Sequence, residues 1–343
     1  MIIAALALPA GCSLDVDYGD TRFQCDGTRD CPDGFTCVAE ECRPGGGDGA
    51  PTAAFTSDSS FLLVSLDATS STDPDGDPLD YAWTFGDDST GTGATISHTY
   101  ETADTYEVTL TVRDDDGNTD SISNQVSVIA PPEPLAQDDF DRTLDPGWGS
   151  ADIGGPWTLG GDIDLWRVAD GRGRVDVAAG AGPAAFLEDV VTSSADITYR
   201  LSPSAVATGS GLYLTCVGRR ISAGNTYEIT VALQPDGDIR LDLGKRLDGE
   251  EIDVDGMTIP GLGYGPGTVL HLRVQVFGTD PTTLRARVWA DGEAEPGDWQ
   301  LAGEDSEPIL QASGDLGINS YLSSSATTSI SAGFDDLLVV PVE

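Results

Sequence analysis

The sequence is poor in positive charge. Of its 343 residues, 17 are lysine or arginine against 58 aspartate or glutamate, a formal net charge of −41, and Lys245 is the only lysine. So anionic a chain repels the phosphate backbone, which excludes nucleic acid as a partner. The excess favours solubility and cations, although a saline habitat or a GC-rich genome accounts for it more plainly. Histidine is nearly absent. His98 and His271 are the two, and neither stands in a motif that would activate a thiol. Cys216, in "SGLYLTCVG", shares one strand face with Leu212 and Leu214 and reads as a buried core thiol. No G-x-S-x-G elbow, zinc-protease helix or Gly-rich phosphate loop is present. The opening apolar run, "MIIAALALPA", is too short to span a bilayer. No amphipathic helical period is found anywhere, which leaves an all-β chain.

The opening run looks like the end of a signal peptide over residues 1–11, and its missing basic region points to a start further upstream. "LPAGC" resembles a bacterial lipobox, with Pro9 where an aliphatic residue is usual. The resemblance implies lipidation of Cys12 and an exported, membrane-anchored lipoprotein of the cell envelope. The rival is an ordinary exported protein in which Cys12 is an odd thiol. Cys25, Cys31, Cys37 and Cys42 follow at tight spacing among Gly, Asp and Pro. An even set in an exported chain reads as a disulfide framework. Three pairings remain open, and zinc is disfavoured because no CxxC pair or nearby histidine is present.

Gly-rich "GGGDGA" (45–50) and Pro-rich "PPEPLAQ" (131–137) mark linkers around a block at 51–130, preceded by the cysteine module at 12–44. Short alternating segments and recurrent turns such as "PDGD" and "DDDGN" predict β-sandwiches. In the block, Trp83-Thr84-Phe85-Gly86-Asp87-Asp88 and His98-Thr99-Tyr100 resemble the W-x-F-G-D-G and H-x-Y hallmarks of the polycystic kidney disease (PKD) domain. The final glycine of the hallmark is replaced by Asp88. The resemblance implies an immunoglobulin-like sandwich that acts as a spacer or adhesive module, without catalysis. Within the block, Asp73, Asp75 and Asp77 begin like an EF-hand loop, but Thr84 stands where the bidentate glutamate should be. An acidic turn is the preferred account, with calcium as the alternative.

Residues 138–343 read as strands throughout. "DDFDRTLDPGWGSADIGGPW" at the start and "GDLGINSYLSSSATTSISAGFDDLLV" at the end resemble the laminin-G-like branch of the concanavalin A-like lectin/glucanase superfamily. The resemblance implies a jelly-roll whose first and last strands pair, with calcium near them. Asp138, Asp139, Asp335 and Asp336 are the expected ligands. The alternative is that one Asp of each pair points to solvent.

In "EEIDVDG", alternation places Glu251, Asp253 and Asp255 on one face of a strand. The resemblance to the glucanases casts Glu251 as nucleophile, Asp253 as its helper and Asp255 in the place of the acid. Asp255 is a methylene shorter than the expected Glu, and the stretch lacks an apolar pocket to raise an acid's pKa. The Asp248-Gly249 and Asp255-Gly256 pairs indicate a peripheral hairpin or loop. A solvated acidic strand is therefore preferred. Trp148, Trp157, Trp166, Trp289 and Trp299 are candidate sugar platforms, although aromatics more often fill sandwich cores. The expected function is non-catalytic binding of extracellular polysaccharide or a surface protein, assisted by calcium. A glycoside hydrolase using Glu251 and a structural or adhesive envelope protein are the alternatives.

Overall fold

The computed structural model describes residues 49–342 and the backbone of a hairpin before them, β1 (Phe35–Val38) and β2 (Glu41–Pro44). Cys37 and Cys42 are register partners in that hairpin. Cys12, Cys25, Cys31 and the opening apolar run lie outside the described residues. Two compact units divide between Pro131 and Pro132. Among the described residues, no helix is long and apolar enough to cross a membrane.

The first unit is an immunoglobulin-like sandwich. Strands β3 (Thr56–Ser60), β4 (Leu63–Asp67), β5 (Asp80–Thr84), β6 (Thr90–Thr92), β7 (Thr95–Thr99), β8 (Asp104–Arg113) and β9 (Thr119–Val128) form two sheets, ordered β3-β4-β7 and β6-β5-β8-β9. Alternation supplies the core. Val64 and Leu66 face Trp83, Val108, Leu110 and Val112, all buried, and Trp83 meets Phe55 edge-on at 5.1 Å. The outward face of β8 and β9 carries a hydroxyl ladder, Thr105–Ser127, Thr109–Ser123 and Thr111–Ser121, each at 2.8 Å. Gly86 has φ +83, and an added Cβ there would lie 2.8 Å from the Glu107 carbonyl oxygen, so only glycine fits. Asp88 has φ +69, which explains why a glycine usually stands at this hallmark position and why aspartate tolerates it.

The second unit is a two-sheet β-sandwich. Its strands are β10 (Ala136–Asp138), β11 (Thr158–Leu159), β12 (Trp166–Val168), β13 (Gly173–Val177), β14 (Ala184–Thr192), β15 (Ala195–Pro203), β16 (Leu212–Ser222) and β17 (Asn225–Leu233). They continue as β18 (Asp238–Leu247), β19 (Glu250–Gly263), β20 (Leu270–Phe277), β21 (Thr282–Ala290), β22 (Leu301–Asp305), β23 (Gly314–Leu322) and β24 (Ile330–Val340). One sheet runs β12-β13-β24-β15-β20-β21-β22, with β10 also on β24; the other runs β11-β14-β23-β16-β17-β18-β19. The first and last strands pair, Ala136 with Val339 and Asp138 with Leu337. Ala136 and Gln137, read from sequence as linker, are already strand, because Ala136 is buried against the core.

Two polar ties join the sheets across the core. Lys245 on β18 reaches Asp305 on β22 at 2.5 Å, and Tyr227 on β17 donates to the same carboxylate at 2.8 Å. Burial would raise the Asp305 carboxyl, but Lys245, the Glu307 N–H and Tyr227 outweigh it and hold it below its ordinary value. A depressed carboxylate stabilises the fold fully above its unfolded pKa and loses that contribution as pH falls through the folded value. Acid titration of stability should therefore slope below about pH 4. Lys245→Met should flatten that slope while lowering stability at neutral pH, as urea midpoints against pH would show. The second tie is Arg219 on β16, fully buried, which donates to Thr282 Oγ1 at 2.8 Å and to the carbonyls of Leu310 and Gly278 at 3.0 Å, and to that of Ser193.

Candidate functional site

A groove of about 510 Å³ lies on the outer face of the seven-stranded sheet. Strand alternation builds it. Leu212, Leu214 and Cys216 of β16 point into the core, so Tyr213 and Thr215 point outward; Ile229 and Val231 of β17 point inward, so Glu228 and Thr230 point outward. The register then lines these side chains up across strands. Tyr321 pairs with Tyr213, their rings 6.1 Å apart. Asn319, Thr215, Thr230 and Asp242 form the next row, with Thr215 and Thr230 hydrogen-bonded at 2.8 Å. Glu228, Gly244 and Asp253 form a third row, and Thr226, Arg246 and Glu251 a fourth. Because Gly244 has no side chain, the third row is open between its two carboxylates.

Four carboxylates and two guanidinium groups share this face. Glu228 is buried, accepting from Thr226 Oγ1 at 2.7 Å and from Arg246 at 3.2 and 3.3 Å. Those bonds raise the pKa of Arg246, and its Nη2 lies 3.6 Å from Glu251. Asp242 is paired with Arg240 at 2.7 Å, yet burial, with the charges of Asp253 and Glu251, raises its pKa. Glu251 is two-thirds exposed (67% of its side chain), without the apolar enclosure a glycosidase acid needs. The arrangement offers two adjacent tyrosine rings beside rows of fixed donors and acceptors, which suits a polyhydroxylated ligand.

The three acidic residues of "EIDVD" do not share a face. Asp253 pairs with Gly244 and Asp255 with Leu243, so Val254 sits in a β-bulge. The extra residue breaks the two-residue alternation. Val254 packs on the core, and Asp255 leaves the groove and accepts from the Gly256 N–H at 2.8 Å. The stretch is also the edge strand β19 rather than a loop. Asp248-Gly249 is a two-residue hairpin turn, both residues at positive φ, whereas Asp255-Gly256 continues the strand.

The four aspartates expected at the paired terminal strands are divided. Asp138 is fully buried and receives Arg142 Nη1 at 2.6 Å, Arg142 Nη2 at 2.8 Å, Trp157 Nε1 at 2.7 Å and the Phe140 N–H at 2.9 Å. A carboxylate has about four lone-pair sites, so these donors leave none for calcium. Asp139 and Asp152 lie beside it, both exposed. Asp335 and Asp336 do not join them, because Arg200 holds both, at 2.8 and 2.7 Å. The residues at this position do not fit a calcium ion. In the first unit, Asp73 accepts from the backbone of Asp75 at 2.8 Å and of Asp77 at 3.3 Å, closing the turn, and Asp75 accepts from the Gly49 N–H at 3.1 Å. Asp73 Oδ2 is buried without a hydrogen bond, and Asp77 lies with Asp115 and Asp116. Burial and these like charges raise the Asp77 carboxyl, so this cluster does suit a cation.

Trp148, Trp157 and Trp166 are core rather than platforms, packed edge-on around Trp148 at 4.8–5.2 Å. The groove tyrosines were missed, though "GLYLTC" held the signal: if Leu212 and Leu214 face inward, Tyr213 cannot.

The PKD domain family matches residues 49–129. Over 82 residues the chain is 37% identical to collagenase ColA of Clostridium perfringens, covering 23% of this chain and 7% of that protein. It is 40% identical over 82 residues to the pre-pro-metalloprotease PrtV of Vibrio cholerae serotype O1, covering 24% and 9%. The chain thus spans under a tenth of the length of these relatives. Among solved structures, the carbohydrate-binding module CBM66 from Bacillus subtilis is similar at 16% identity, with a TM-score of 0.35, over 54% of this chain and 94% of that one.

Proposed function

We propose that the second unit is a non-catalytic binding module that takes an extracellular glycan in the groove of its seven-stranded sheet, with the PKD domain as spacer. One observation carries the reading. Tyr213 and Tyr321 stand side by side at one end of rows of hydroxyl, amide and carboxylate groups. Aromatic rings accept the apolar face of a sugar, and fixed polar groups accept its hydroxyls. Within this reading the protein is exported and held at the cell envelope through a lipidated Cys12. PKD domains in relatives named as collagenase and pre-pro-metalloprotease fit an extracellular setting. Calcium, in this reading, is held by Asp77, Asp115 and Asp116 of the first unit and supports the spacer rather than the ligand. A second reading, a glycoside hydrolase, is favoured by the opening at Gly244 between Glu228 and Asp253, with Glu251 beside them.

The test is retention on a panel of soluble and insoluble polysaccharides, with calcium or chelator, and with released reducing ends assayed from the same tubes. Retention without release is expected, and Tyr213→Ala should weaken it by about tenfold, the loss of one stacked ring. Sugar release that disappears in Glu251→Gln would establish the hydrolase instead. Absence of both signals, with capture of envelope proteins, would favour an adhesive role.

A further inference from the structure

The opposite, outer face of the eight-stranded sheet carries a second chemistry. Strands β20 and β21 project His271, Arg273, Gln275 and Phe277 beside Trp289, Arg287, Arg285 and Thr283 in paired register. The loop after β21 brings Trp299 back over this face, its ring centroid 4.4 Å from the Arg287 guanidinium carbon, 4.6 Å from that of Arg285 and 5.8 Å from that of Arg273. Two acids serve two of these three arginines. Asp196 receives Arg273 at 2.6 Å and Gln275 at 2.5 Å, and Glu295 receives Arg273 at 2.9 Å and Arg287 at 2.5 Å.

Arg285 is left over. Among the described residues it has no carboxylate within 4 Å, and its one hydrogen bond runs from Nε to Gln275 Oε1 at 2.7 Å. Its guanidinium also lies 5.0 Å from the Phe277 ring. Contact with two rings and a bond at Nε fix the plane of the fork, and both Nη groups are without a hydrogen-bond partner among the described residues. Burial, and repulsion from Arg273 and Arg287, disfavour its charge and outweigh the attraction of Asp196.

We propose that Arg285 is the centre of a second ligand site, distinct from the groove, that takes the carboxylate of a uronic acid residue in an acidic glycan. A planar fork pairs with a carboxylate through two parallel hydrogen bonds. A sugar fits better than an acidic peptide for a structural reason. Strand β20 is paired on both sides, by β15 and β21, and β21 is paired by β20 and, across Arg285, by β22, so the backbone at Arg285 offers no open edge to a peptide. Trp289, stacked on His271 at 5.2 Å and two residues along the strand from Arg287, adds an aromatic surface for the neighbouring ring.

The test uses the whole protein with glucuronate oligosaccharides, neutral glucose oligosaccharides and a glutamate-rich peptide, by calorimetry at low and moderate salt. Glucuronate binding that salt weakens is the expected result. Arg285→Gln should weaken it by about tenfold or more, the loss of a charge-assisted pair. Arg285→Lys should restore part of it, and in Tyr213→Ala the salt-dependent preference for glucuronate over glucose should persist. Because the groove variant and the Arg285 variants act on different faces, failure of one site is separable from failure of the other. Equal binding of glucuronate and glucose, or undiminished binding by Arg285→Gln, would overturn the proposal. Stronger binding of the peptide than of the uronate would overturn the choice of ligand.

Discussion

Replacing Arg219 with alanine is expected to cost the second unit about 3–5 kcal/mol, a loss on the scale of breaking a buried charged network. The side chain is fully buried, and no carboxylate neutralises it among the described residues. Three backbone carbonyls and the Thr282 hydroxyl solvate the guanidinium instead, with the Tyr227 ring 5.5 Å from its centre. Burial lowers its pKa. Removing it leaves the carbonyls of Ser193 and Leu310 without this donor, each worth about 1–3 kcal/mol, while the Gly278 carbonyl keeps the Thr282 hydroxyl at 3.2 Å. Arg219→Met keeps most of the volume but none of the donors, so it should fail nearly as badly. Thermal unfolding should show a fall in Tm of roughly 10 °C for a unit of this size. A fall of only a few degrees in both variants would mean that water replaces the guanidinium.

Asp138→Asn is expected to be the second most damaging change, at about 2–4 kcal/mol. The substitution keeps the shape and removes the charge. Arg142 then loses its bidentate partner, and an amide nitrogen must stand where either the Trp157 Nε1–H or an arginine N–H now donates. The effect is discounted because Arg142 keeps 23% of its side-chain exposure. The carboxylate organises the entry to the domain: it holds the Phe140 N–H and Trp157, whose ring lies 5.2 Å from Trp148 at the centre of the aromatic cluster. Chelator should leave the Tm of the wild-type second unit unchanged, since arginine already fills the cation's place. A chelator-sensitive Tm that Asp138→Asn abolishes would reverse that assignment.

Both sandwiches were legible because alternation is a local signal. "YEVTLTVRDDDGN" announces a strand and its turn, and the buried Val108, Leu110 and Val112 follow directly. Pairing of the terminal strands also followed from the resemblance of the two ends. The site was only partly legible. "EIDVD" was singled out, and Glu251 and Asp253 do line a groove. The bulge at Val254 could not be read, because nothing in the residue pattern reports one extra residue opposite Leu243. A second bulge, at Gly218, swings Arg219 inward where alternation from Cys216 would leave it outside; an added Cβ at Gly218 would lie 2.5 Å from Val276. The aspartate quartet failed for another reason. Ion pairs form between residues far apart in sequence, as with Arg200 and Asp335, and local spacing carries no trace of them.

The single lysine has a practical consequence. Within these 343 residues Lys245 offers the sole side-chain amine, and only 14% of its side chain is open to solvent because it is locked against Asp305. A lysine-specific protease can cut this sequence at one bond, and only after β18 and β22 have parted. Cleavage there, or acylation of that amine, is thus a built-in reporter of the opening of the sandwich, requiring no introduced label. Coupling chemistry aimed at amines would leave the folded groove and the arginine face untouched.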